Sequence, residues 1–123
     1  MAEALDATAP SGLLERATEV RADATRHLTS LAGDASMCAI GRSGRSFPAA
    51  KYHEGRQAAA GQCRRLLHQA GVDVDFDQGV AIVVGISSEW QRMLDDTAAK
   101  GPDWVAYASG GLDALTDIVE PRS

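Results

Sequence analysis

The stretch GVDVDFDQGVAIVVGISSEWQRMLDDTAAKGP, residues 71–102, decides the fold, because it admits two readings. In one, residues 80–86 (VAIVVGI) are a buried strand, rich in β-branched side chains, and Ser88-Glu89-Trp90-Gln91 opens a helix with a capping box. In the other, Asp75 or Asp77 caps a single helix over about 78–99. Phe76, Val80, Val83, Ser87, Trp90 and Leu94 then follow alternating steps of four and three. That heptad continues across the boundary between the supposed strand and helix, which a strand, a turn and a new helix would preserve only by accident. The helix is therefore the preferred reading. An α/β protein with a strand at 80–86 is the alternative.

C-terminal to this stretch, Gly101-Pro102-Asp103 stops one element and starts another. Trp104, Val105, Ala108, Leu112, Leu115 and Val119 return at helical spacing, with Gly110-Gly111 as a kink or a split. On the N-terminal side, residues 48–70 read as a helix begun by Ser46 and Pro48 and closed by Gly71. Tyr52, Ala59, Cys63, Leu66 and Ala70 fall on one side of it, and Gln57, Arg64 and His68 on another. Gly55 and Gly61 each lower helix propensity by about 1 kcal/mol relative to alanine, so both suggest close approach of another helix or a kink. Further upstream, Leu13, Ala17, Val20, Ala24, Leu28 and Leu31 form an apolar stripe behind an N-cap at Ser11. Glu15, Glu19 and Asp23 precede Arg26 and His27, the charge order that a helix dipole favours. Gly33-Asp34 ends the element, and residues 36–40 are either extended or the last turn of a longer helix.

These readings give an all-α, mostly antiparallel bundle of about four helices in one domain over 1–123. A tail at 1–11 and a basic, glycine-rich loop at 32–47 lie outside it. At 123 residues the chain is long enough for one core without disulfide or metal support. The two cysteines are too few for a disulfide framework. Cys63 lies on an apolar stripe and reads as a core residue, while Cys38 stands before the basic loop with no catalytic signature around it. No basic-then-apolar leader and no run of membrane-spanning length is present, so a cytoplasmic protein is expected. Ten arginines against two lysines suggest a GC-rich bacterial genome.

The chemically distinctive passage is residues 41–68, GRSGRSFPAAKYHEGRQAAAGQCRRLLH. It holds six of the chain's twelve Lys and Arg residues against one acid, Glu54, in a protein of net charge −5. Its glycines and serines resemble an anion nest leading into a helix start, with Arg42 and Arg45 placed to clamp a phosphate or carboxylate. The passage is neither a Walker A loop nor a dinucleotide fingerprint. The candidate anion-binding set is Arg42, Ser43, Arg45, Ser46, Tyr52, His53 and Arg56. The plainer reading of Tyr52, His53, Glu54 and Arg56 is a hydrogen-bond network between helices. His27, His53 and His68 have no metal-ligand spacing, and no motif marks a nucleophile, so neither catalytic residues, a metal nor a cofactor is expected. Net negative charge, without aromatic platforms or a helix-turn-helix, argues against nucleic acid. The expected role is that of a small, non-catalytic interaction or regulatory protein that binds a protein partner or itself, for instance as a homodimer through Ala- and Gly-lined faces. A binder of a phosphorylated or carboxylated small molecule is the alternative, with or without catalysis.

Overall fold

A computed structural model describes residues 9–35, 48–71 and 75–120, all of them in or next to four helices. These are α1 (Ala9–Ala35), α2 (Pro48–Ala70), α3 (Phe76–Thr97) and α4 (Pro102–Val119). Among the described residues there is no strand. Residues 80–86 lie in the middle of α3, which settles the choice posed by residues 71–102 in favour of the helix.

The start of α3 shows why. The Asp75 side chain accepts the Gln78 backbone N–H at 2.8 Å, and Gln78 Oε1 accepts the Asp75 N–H at 3.0 Å. This reciprocal capping box satisfies two donors that a helix start leaves orphaned. The rival box at Ser88 does not form. The Ser88 hydroxyl donates instead to the Val84 carbonyl one turn back, as Ser87 does to Val83, so both serines ride on an uninterrupted helix.

Three expectations need correction. α1 begins at Ala9 and ends at Ala35, so Ser11 lies within it and is not its cap, and 9–11 and 32–35 belong to the helix and not to the tail and loop. On α2 the buried stripe is Ala59, Ala60, Cys63 and Leu67, whereas Leu66 and Ala70 face outward. Gly110-Gly111 does not split α4. Both glycines are buried inside one continuous helix.

The closest packing in the bundle is between α2 and α4. Gly55 lies against the carbonyl of Tyr107, and Gly110 lies against the carbonyl of Tyr52, so closely that a Cβ on either glycine would overlap that carbonyl. Each helix thus presents the same pair, a tyrosine and a glycine three residues later, and the two pairs interlock. Each glycine directs a Cα–H at the other helix's carbonyl oxygen, a weak hydrogen bond that only a residue without a side chain permits. Gly61 has no such neighbour, since a Cβ there would meet only the Arg21 side chain at 3.5 Å.

α1 packs antiparallel on α2, with Thr25 bonded to Gln57 and Thr18 to Arg64. α2 and α4 run in the same sense, as an up-down-up-down order requires, with Tyr52 reaching Asp113 and Arg56 reaching Asp117. α3 lies on α4 through Trp90, whose ring covers Gly111 and tilts against Tyr107 at 5.3 Å. Trp90 Nε1 also donates to Gln62 Oε1 at 3.0 Å, tying α3 to α2. Arg16 Nε donates to the Ile118 carbonyl at 2.6 Å and so satisfies an acceptor in the last turn of α4. Leu13, Cys63, Val83, Leu115 and Ile118 are the largest fully buried side chains of the single core.

Candidate functional site

Of the expected anion-binding residues, Arg42, Ser43, Arg45 and Ser46 lie outside the described residues. Tyr52, His53 and Arg56 lie on α2 and point to two different neighbours. Tyr52 and Arg56 are four residues apart on the side facing α4. There the Tyr52 hydroxyl donates to Asp113 Oδ2 at 2.5 Å, and Arg56 Nη2 donates to Asp117 Oδ2 at 3.0 Å. The guanidinium of Arg56 also sits 6.0 Å from the centre of the Tyr52 ring. Asp113 and Asp117, four residues apart on α4, are the partners that sequence reasoning missed. Their matching i, i+4 spacing on an otherwise apolar helix was the available signal.

Burial raises the Tyr52 hydroxyl above its ordinary value of 10.0, the Asp113 carboxylate adds to that, and Arg56 opposes it. The phenol therefore remains a donor at neutral pH. With only 9 % of its surface exposed, Arg56 is held between α2 and α4. An incoming phosphate would have to displace a carboxylate to reach it.

His53 turns the other way, toward α1. Its ring stacks on His27 at 4.4 Å and 9°, and its Nδ1 is buried without a hydrogen-bond partner among the described residues. Burial holds the imidazole below its ordinary 6.5, His27 and Arg56 push in the same direction, and Asp23 opposes them. Because the folded-state pKa lies below the unfolded one, the unfolded chain takes up this proton first. His53 therefore leaves stability intact above pH 6.5 and lowers it as the pH falls through that value. Urea melts of the wild type and of His53→Phe, run between about pH 5 and pH 7, should show a shallower acid-side decline for the variant. Equal slopes would mean that this ring's protonation is not linked to folding.

Other candidates resolve into packing. Cys63 is fully buried, and burial pushes its thiol up to about 11, so it is an uncharged apolar group at neutral pH. Lys51 pairs with Glu54 at 3.1 Å on the surface. Beside that pair Lys51, Asp103, Trp104 and Tyr107 line a partly enclosed pocket of about 370 Å³. Among the described residues, no three metal-ligating side chains converge, and no helix is long and apolar enough to cross a membrane.

The surface that stands out is on α3. Between Gln78 and Ser88 the helix carries no charged residue, although only Gly79, Val83 and Ile86 of that run are buried. Val84, opposite them, is 55 % exposed. On the α2 side, Leu66, Ala70, Ala81, Ile82 and Gly85 border an open groove of about 490 Å³, with Gln69 and Glu89 among its polar lining. A helix that buries one side needs apolar residues on that side only. The sequence signal was therefore visible in the stretch that suggested a strand: residues 80–86 are apolar all round, more than one buried face requires. In comparisons with known proteins, no family model, curated protein or solved structure matches this chain.

Proposed function

We propose that this chain is a small, non-catalytic interaction or regulatory protein whose working surface is the outer face of α3 together with the groove beside α2. The observation that carries this reading is the uncharged, solvent-facing middle of α3, in a protein in which 24 % of residues are charged. The conspicuous polar side chains of α2 support it as well. Tyr52 and Arg56 are engaged in joining α2 to α4, and His53 is stacked against α1, so none of the three competes with the apolar face of α3 as a surface site.

The test is site-specific photocrosslinking in the cells that make the protein. A photoreactive residue replaces Val84 in one variant and Arg26, on the polar side of α1, in another. A discrete adduct from position 84, with none from position 26, is the expected result. No adduct at 84 above the level at 26 would refute the reading.

A further inference from the structure

Where α1 leaves the core, it meets α2 through two histidines. Among the described residues, α1 gives Leu13, Leu14, Ala17 and Val20 to the main core and nothing after Val20. Past that point its buried side chain is the small Ala24. The described side-chain contacts to α2 there are an exposed bond from Gln57 Nε2 to the Thr25 hydroxyl at 2.7 Å and the stack of His27 on His53.

That stack suits two neutral rings and not two charged ones. His27 Nδ1 lies 2.9 Å from the Asp23 carbonyl, which can only accept, so this nitrogen carries the hydrogen and Nε2 is the one that gains a proton. His53 Nδ1 is buried with no hydrogen-bond partner among the described residues. An imidazolium carries an N–H on both nitrogens. Protonation of His53 therefore leaves a buried donor without an acceptor, whichever nitrogen held the first hydrogen. It also sets a positive ring 4.4 Å from that of His27. Both costs persist while the rings stay stacked, and both are relieved when the His53 ring reaches water.

The charges around the pair do not cancel these costs. On α1, Asp23 acts on both rings, but its carboxylate is shared: Oδ2 lies 3.6 Å from His27 Nδ1, and Oδ1 lies 3.2 Å from Arg26 Nη2. On α2, Arg56 adds a positive charge, Tyr52 stands edge-on to His53 at 5.3 Å, and Glu54 pairs with Lys51. α4 presents Asp113 and Asp117 to Tyr52 and Arg56. α3 brings Glu89 and Trp90 to Gln62, about 13 Å further along α2. Burial, His27 and Arg56 together hold the His53 imidazole below its ordinary 6.5, with Asp23 opposing. An opened segment thus takes up the proton more readily than the closed one, and acid favours opening.

We infer that the stacked histidines are an acid-released clasp: uptake of a proton by His53 separates the rings and frees α1, from about Arg21 to Ala35, from the start of α2 while the rest of the bundle stays folded. The thin packing past Val20 confines the release. Opening there gives up little apolar area, whereas opening elsewhere would expose the core. The clasp is independent of the outer face of α3.

Distances between spin labels, measured by double electron–electron resonance on the full chain carrying Cys38→Ser, test this. Cys63 is fully buried and stays unlabelled. One pair of labels, at Ser30→Cys and Arg65→Cys, spans the clasp, and a second, at Arg65→Cys and Arg92→Cys, spans α2 and α3; all three positions are exposed. Between about pH 7.5 and about pH 5, a population with a longer distance should grow at least about fivefold for the first pair. The distribution for the second pair should not change. The midpoint of that growth should coincide with the titration of the His53 ring, read from its own proton resonances. His53→Phe keeps a stacking ring that takes up no proton and should abolish the acid response, while His68→Gln, near the far end of α2, should leave it intact. No new population, a simultaneous change in both pairs, or a response that survives in His53→Phe would overturn the inference. If His53→Phe does not fold, the two midpoints decide: coincidence supports the clasp, and separation overturns it.

Discussion

Replacing Gly55 or Gly110 by alanine should destabilise the protein by about 3 kcal/mol or more, despite the higher helix propensity of alanine. In an exposed helix that exchange is favourable by up to about 1 kcal/mol. Here the added methyl group meets backbone, the Tyr107 carbonyl for Gly55 and the Tyr52 carbonyl for Gly110. A flexible side chain could swing aside, but a carbonyl moves only with its helix. α2 and α4 would have to separate along their whole contact, loosening Ala59, Ala60, Ala114 and Leu115 in the core and stretching the Tyr52–Asp113 and Arg56–Asp117 bonds. Domains of this kind have a total stability of about 5–15 kcal/mol, so either variant should show a much lower denaturation midpoint or fail to accumulate. Gly61→Ala on the same helix is the control. Its methyl group reaches only the Arg21 side chain, at ordinary contact distance, and its effect should be neutral or stabilising. Similar midpoints for Gly55→Ala and Gly61→Ala in guanidinium melts would show that the close crossing of α2 and α4 is not what holds the bundle together.

The same pair of glycines shows how far the sequence could be read. Gly55 and Gly61 look alike on α2, two interruptions in a helix rich in alanine, and both suggested a close neighbour. Only Gly55 has one, because the decision depends on which turn of α2 meets α4, and that is a property of the assembled bundle. The helix across residues 71–102 was legible because its evidence is local: a heptad and the Asp75–Gln78 capping box, both within a few turns. The register of the buried face on α2 was less legible. With alanine at 49, 50, 58, 59 and 60, several faces are almost equally apolar, and neighbours on two sides chose among them. Tyr52 and Arg56 were recognisable as a polar pair, but their partners Asp113 and Asp117 lie 61 residues away in sequence. The outer face of α3 was in view but not legible as a face, since an all-round apolar segment raises the choice between strand and helix first and only in a known helix reveals a surplus face.

Arg56→Ala is expected to cost about 3–5 kcal/mol, far more than an ordinary surface ion pair. The side chains of Arg56 and Asp117 are only 11 % and 16 % exposed, and they meet at 3.0 Å between α2 and α4. Each has left water largely behind, and each is stabilised by the other. Removing the guanidinium takes from Asp117 the cation that meets it at 3.0 Å, and it also removes the charge beside the Tyr52 ring. Most of the loss should come from weakening the hold on a poorly solvated carboxylate, since the pair itself recovers little beyond its own desolvation. The double variant Arg56→Met, Asp117→Leu therefore discriminates. It replaces both charges with apolar groups of similar bulk and should regain most of the stability that Arg56→Ala loses, giving a large favourable coupling energy in a double-mutant cycle. Arg56→Lys keeps the charge but not the planar fork, and it should fall between the wild type and alanine. A cost below about 1 kcal/mol for Arg56→Ala would place the pair with solvent-exposed bridges, and Arg56 would then be available to bind an anion brought by another molecule.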